Sequence, residues 1–291
     1  MSATPAPAPD SLFRRLFTLA LPIIAQNFIV FGVGFADNLM VGQLGGDAIN
    51  GLYFGNRVFF ILQIFLFGLE SSVVILSAQY WGQRNTRRIK EVVSITVRLG
   101  MAISGAFALA CLIAPEWLLG LFTDKTTVVG LGAKYLRIVG ASFVLYGANH
   151  VLITAMRAVE VVRVGLINSL VALVVNVALN YLLILGHCGF PALGVTGAAI
   201  GTLISRAVEF SVVLWYVLKI DGNLQMRLPD FAVWDADIFH DLCRYGWPLM
   251  AGQAVWAVNN LGQMWIVGHM AEEVITGVSL AGMLDQIVGM G

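Results

Sequence analysis

The chain has 291 residues, of which 58% are hydrophobic and only 12% charged. Soluble domains carry about 25% charged residues, so this composition argues against an ordinary cytosolic enzyme. Seventeen basic and seventeen acidic residues leave no positive excess to hold nucleic acid. Cys111, Cys188 and Cys243 lie far apart with no CxxC, and the four histidines are scattered. Neither a disulfide framework nor a metal centre is indicated.

Residues 1–10 form an Ala/Pro tail that is expected to be disordered. It lacks the basic n-region of a cleaved signal. Beyond it, the charges divide the chain into apolar pieces of about 20 residues, the length of a bilayer crossing. Residues 16–36 are uncharged, and 58–83 contain only Glu70. A third span covers 99–115 and can start near Val92 if Arg98 snorkels. Residues 138–156 and 164–186 are uncharged, and 194–218 contain only Arg206 and Glu209. In the polar stretch 221–243, Phe231, Trp234, Ile238 and Leu242 fall at helical spacing. That predicts a short helix lying on the cytoplasmic membrane face. A seventh span covers 245–271, and an eighth starts near Val274 and is cut short at Gly291.

The expected architecture is all-α and polytopic: a tail (1–10), a six-helix lobe (11–220), a cytoplasmic linker (221–243) and the truncated start of a second lobe (244–291). Arg14, Arg15, Arg84, Arg87, Arg88, Lys90, Arg157, Arg163, Lys219, Arg227 and Arg244 fall in alternate loops. The other loops hold Asp47, Asp124, Lys125, His187, Glu272 and Glu273. Lys134 and Arg137 run against the trend, but the bias places the N-terminus in the cytoplasm.

Aligning Pro22 with Pro248, an offset of 226, also matches Ala25 with Ala251, Val41 with Val267, Gly42 with Gly268, Ile49 with Ile275 and Gly51 with Gly277. An even number of spans separates the copies, so the repeat is parallel. Gln263 then stands where the first copy has Asp37.

Ionisable groups inside spans are costly and point to function. Asp37, late in span one, reads either as an interfacial end residue or as a titratable cation site. Asn176 and Asn180 are one turn apart and share a face, as interhelical hydrogen bonds or as site members. Glu70, nearest the bilayer centre, reads as a packing residue or as a contact for cationic substrate. Arg206 and Glu209 read as a structural ion pair, and Asn149 and His150 as packing residues. Pro22 and Pro248 each remove a backbone hydrogen bond and permit a kink. Phe31, Phe35, Phe59, Phe60, Trp256 and Met264 could line an adaptable cavity.

Several runs resemble the multidrug and toxic compound extrusion (MATE) transporters. They are residues 21–26 (LPIIAQ), 37–45 (DNLMVGQLG), 78–83 (AQYWGQ), 176–186 and 189–199 (GFPALGVTGAA). The resemblance implies two six-helix lobes around a central cavity. It implies export of amphipathic, often cationic, drug-like compounds across the inner membrane by antiport with Na⁺ or H⁺. It implies a coupling site at Asp37, where Na⁺ would be the only metal, helped by Asn176, Asn180 and Thr202. Gln26 and Glu70 are the candidate lining of the substrate cavity, and Pro22 a hinge. Some archaeal members resemble an aspartate at the position of Asn180, so a two-carboxylate site is not expected here. The glutamate that the NorM-like branch carries in the seventh helix has no counterpart in 245–271. The expected protein is not an enzyme, has no cofactor, contacts membrane lipids and is a monomer when full length. The rival functions are a lipid-linked glycan flippase of the same superfamily and a membrane-embedded transferase. No DxxxD or DDxxD motif occurs in the spans to hold Mg²⁺–diphosphate for the latter.

Overall fold

A computed structural model describes residues 9–123 and 125–268. Eight α-helices run in the order α1 (Pro9–Gly42), α2 (Gly46–Gly82), α3 (Thr86–Ile113), α4 (Pro115–Gly120), α5 (Thr126–Ala158), α6 (Arg163–Leu183), α7 (Val195–Lys219) and α8 (Ala236–Gly268). Among the described residues, six helices are long and apolar enough to cross a membrane: α1 from Leu16, then α2, α3, α5, α6 and α7. These are the six spans read from the charge spacing. The seventh continues as helix to Gly268 within α8, and the eighth lies outside the described residues.

Local chemistry sets the breaks. Gly45, at φ 107°, makes the turn from α1 into α2, a backbone region that only glycine enters without strain. The Asn85 side chain accepts the Arg88 N–H at 3.2 Å and caps α3. Pro115 forbids the α conformation at Ala114, which ends α3, and then opens α4 from its first position. The short α4 follows the predicted third span and is not among the predicted elements.

Helix α5 is the hub, packing on α2, α3 and α7. Helices α6 and α7 pair, α1 leans mainly on α6, and α1 meets α2 only lightly. The five helices α1, α6, α7, α5 and α2 therefore form a ring, with α3 outside it against α2 and α5. Two apolar clusters fill the helix contacts. One, including Val93, Leu152, Met156 and Val213, lies at the basic end, where the α2–α3 and α5–α6 turns sit. The other, including Leu52, Leu136 and Phe143, lies at the opposite end. Large apolar side chains such as Phe17, Leu109 and Val174 remain exposed on the outside, as suits lipid contact.

The linker departs from expectation. No single short helix spans Phe231 to Leu242. Residues Leu228–Ala232 form a single 3₁₀ turn, and α8 starts already at Ala236. Polar bonds pull the segment onto α3. Lys90 Nζ meets Asp230 at 3.0 Å, Arg88 meets Asp235 at 2.6 Å, and Ser94 donates to the Val233 carbonyl at 2.9 Å. Arg98 bonds the Val233 carbonyl and stacks over the Trp234 ring. Ile238 and Leu242 are buried in the protein core, not in lipid. Asp235 accepts the N–H groups of Asp237 and Ile238, which splits the apolar periodicity into a turn and a new helix.

Helix α8 is joined to α2 by small residues. A Cβ on Gly68 would stand 2.7 Å from Met250 Cβ, and one on Gly246 would stand 2.6 Å from Ser72 Oγ. Ser72 donates to the Leu242 carbonyl at 3.1 Å. Close backbone approach through glycine and serine is the usual way helices pack in lipid.

Candidate functional site

The helix ring encloses a polar column that runs lengthwise through the lobe. At the end away from the basic turns, Asn180 of α6 donates to the Asp37 carboxylate of α1 and to Asn176 Oδ1, the latter at 3.1 Å. Asn176 and Asn180 are fully buried, and Asp37 is half-buried. Gly201 of α7 makes room: a Cβ there would collide with Asn180 Oδ1. That oxygen has no partner among the described residues, so it is a free acceptor beside the carboxylate. Thr202 lies on the next residue of α7. Its hydroxyl donates to the Ala198 carbonyl at 3.0 Å. It is a neighbour of the Asp37 group, with no bond to Asp37.

One turn further along α7, Arg206 reaches Glu209 at 3.3 Å. Its guanidinium lies 4.5 Å from the Tyr146 ring centroid and 5.7 Å from that of Phe59. Asn149 donates to the same Glu209 oxygen at 3.3 Å, and Gln63 donates to the Tyr146 hydroxyl at 3.0 Å. The expected Arg206–Glu209 pair is present, and Asn149 belongs to it.

Below this, the His150 ring lies tilted against Tyr146, centroids 4.1 Å apart, and its Nδ1 is 3.4 Å from Glu70. Glu70 is partly exposed, as a substrate contact would require. Gln26 is 6% exposed and accepts a 2.8 Å bond from Arg157. Its amide is packed against Gly165, where a Cβ would overlap it. In this conformation Gln26 is therefore a structural contact, not an open cavity wall. Pro22 lies inside the continuous α1, and Pro248 inside α8.

Three members of the column were missed from the sequence: Tyr135, Tyr146 and Arg157. They are spaced eleven residues apart, three turns of helix to within about 20°, so they line one face of α5. That spacing was available as a signal. The charge pattern alone places Arg157 in a loop. Among the described residues no group of three or more metal-ligating side chains occurs.

The MatE family profile matches residues 22–182. The chain belongs to the MATE family. It is 30% identical over 212 residues to a probable multidrug resistance protein NorM of Agrobacterium fabrum, covering 71% of this chain and 44% of that protein. It is 26% identical over 284 residues to a probable multidrug resistance protein YoeA of Bacillus subtilis, covering 96% and 61%. A solved MATE structure in complex with MaD3S superposes with a TM-score of 0.85 at 20% identity, over 95% of this chain and 62% of the other. A MOP-superfamily transporter from Pyrococcus furiosus gives 0.81 at 22% identity, over the same shares. This MATE-family chain thus spans about half the length of the curated relatives it matches. It is a multi-pass membrane protein, and its all-helical lobe is a MATE fold.

Proposed function

We propose that this MATE-family chain is the N-terminal part of a secondary active transporter that exports amphipathic, cationic drug-like compounds by antiport with Na⁺ or H⁺. The membrane is the bacterial-type inner membrane, with the N-terminus in the cytoplasm, as the basic loops suggest. No chemical transformation of the substrate is involved. The observation that carries the reading is the constellation of Asp37, Asn180 and Asn176. A carboxylate is held inside a membrane lobe by amides that carry no charge. Such a group gains from binding a small cation, because burial penalises its own charge. The free Asn180 carbonyl oxygen offers a further ligand to Na⁺. Thr202, next to the Gly201 that abuts Asn180, is the further candidate member of the site.

Coupling follows if the ion favours one conformation over another. Helix α1 suits that role. It is the most exposed spanning helix, and polar bonds through Asp37 and Gln26 tie it to the ring. Occupancy at Asp37 changes one of those ties, and Pro22 supplies a place to bend. One charge crossing 100 mV provides about 2.3 kcal/mol to drive the cycle. Glu70 is the candidate contact for the substrate's positive charge.

The test is drug efflux from energised vesicles carrying the protein expressed from its full coding sequence. Asp37→Asn abolishes ion-driven export at unchanged membrane level, because an amide takes up no proton and carries no charge for Na⁺. Gln263→Ala, at the repeat-equivalent position, loses much less. Wild-type export by Asp37→Asn would move the coupling site elsewhere.

A further inference from the structure

We propose that His150 covers Glu70 with a proton that a cationic substrate displaces, so that loading the substrate's charge onto Glu70 sends one proton from the imidazole to water. This rests on Glu70 being the contact for the substrate's positive charge, and it adds to that contact a partner and a pH dependence.

The two side chains are placed for an exchange of partners. Glu70 comes from α2 and His150 from α5, with the imidazole Nδ1 3.4 Å from a Glu70 oxygen. The pairs that tie the linker to α3 close further, Arg88 on Asp235 to 2.6 Å and Lys90 on Asp230 to 3.0 Å. A charge-assisted hydrogen bond is about 2.7–2.9 Å long, so the longer contact is the one that opens easily. Both groups can also be reached. The His150 side chain is 38% exposed and that of Glu70 22%, against 10% for Glu209. The imidazole lies against the Tyr146 ring, centroids 4.1 Å apart. Tyr146 is itself fixed, by a 3.0 Å bond from Gln63 and a T-shaped contact with Phe59. A carboxylate on one side and an aromatic ring on the other make a place for a ligand cation. His150 stands in that place, and an imidazole is the side chain whose charge ordinarily changes between about pH 5 and 8.

The other charges around this pair are engaged elsewhere. Arg157, two turns further along α5, bonds Gln26. Arg206 of α7 approaches the Tyr146 ring but pairs with Glu209. On α3, Arg88, Lys90 and Arg98 bond the linker, and Glu91 pairs with Arg87 and Arg88. On α4, Glu116 pairs with Arg137 near the start of α5. On α8, which meets α2 at Gly68, Arg244 is exposed and Tyr245 packs into the apolar cluster. A substrate cation brought to Glu70 would therefore put two cations beside one carboxylate, and like charges disfavour each other. A guanidinium cannot relieve this, because it keeps its proton. The imidazolium can. One N–H bond breaks, its electron pair stays on the nitrogen, and the proton goes to water. The site holds one anion and one cation before and after.

The probe is tetraphenylphosphonium, a permanent cation that does not itself titrate. Its binding to the purified protein from its full coding sequence is measured by calorimetry. Buffers of different ionisation heat count the protons released. The wild type binds about tenfold more tightly at about pH 7.5 than at about pH 5.5, the effect of one nearby charge, and releases protons between those values. His150→Asn keeps an N–H for Glu70 but carries no charge. It binds at the acid value as tightly as the wild type does at the neutral one, and it releases fewer protons. His150→Gln serves the same purpose should the asparagine variant not fold. An unchanged pH dependence and proton count in the folded His150 variant overturn the inference. So does a wild type that binds the probe without releasing protons. Glu70→Gln separates the two levels. If it weakens binding while the His150 variant behaves like wild type, only the proton exchange falls. If Glu70→Gln binds like wild type, or the wild type does not bind the probe at all, the substrate contact falls, and the inference with it.

Discussion

Arg157 donates to the Gln26 carboxamide oxygen at 2.8 Å, joining α5 to α1, two helices whose backbones barely meet. Gln26 can reach because α6 offers Gly165 beneath it. The contact is a three-helix junction of one charge, one amide and one missing side chain. Among the described residues Arg157 Nε is buried there without a partner, so the junction already carries an unmet donor, and further loss should tell.

Gly165→Ala should therefore destabilise the lobe by about 1–3 kcal/mol, the usual penalty for overpacking. The melting temperature of the purified protein in detergent measures it. Gln26→Ala costs a hydrogen bond on its own but gives the new methyl room. The double variant should thus be more stable than the sum of the single losses. Strict additivity would show that the two positions do not press on one another.

Glu70→Gln tests the substrate contact. The carboxylate stands beside His150 and remains partly exposed. Its loss should reduce export of cationic substrates more than that of neutral ones at equal membrane level. Equal losses would leave Glu70 as the partner of His150 and nothing more.

Orientation is open to direct labelling. In a background without Cys111, Cys188 and Cys243, a cysteine placed at Asp47 should react with an impermeant thiol reagent in intact cells. One placed at Asn85 should not. The opposite pattern would turn the lobe over.

The linker gives a pH prediction. The Ile238 N–H and then Arg88 hold the Asp235 carboxyl below the ordinary carboxylate range. Partial burial would raise Asp230, but the Arg227 N–H and Lys90 outweigh it and bring it lower. A carboxylate depressed in the folded state adds stability above its unfolded value and loses it as pH falls through the folded one. Hydrogen exchange over residues 221–240 should accordingly be faster in Asp235→Asn than in the native protein at neutral pH. The difference should vanish on the acid side of the carboxylate range. These are exposed pairs, so global stability should change little.

The spans were legible because charges are so scarce that they punctuate the chain. Asn176 and Asn180 were legible as one helix face, and Arg206 with Glu209 as a pair three residues apart. The surroundings of those groups were not. That Gln26 is buried depends on Arg157, distant in the chain, and on a glycine whose role is to be absent. The spacing of Phe231, Trp234, Ile238 and Leu242 suggested one surface helix. It took no account of Asp235, whose carboxylate ends one element and starts the next. Periodicity records which residues are apolar, not which apolar surface covers them. Here α3 covered the linker in place of lipid.

The glycine contact between α2 and α8 bears on how such a transporter can be divided. The linker looks like the natural place to cut the gene into two co-expressed halves. Yet Gly68 and Gly246 bring α8 against α2 without space for a methyl group, and Ser72 is bonded to the α8 backbone. A fragment ending before Ala236 would leave that strip of α2 bare to lipid, with Ser72 keeping only its bond to the Gly68 carbonyl of its own helix. Halves that reassemble should be those in which α8 travels with the helices that precede it.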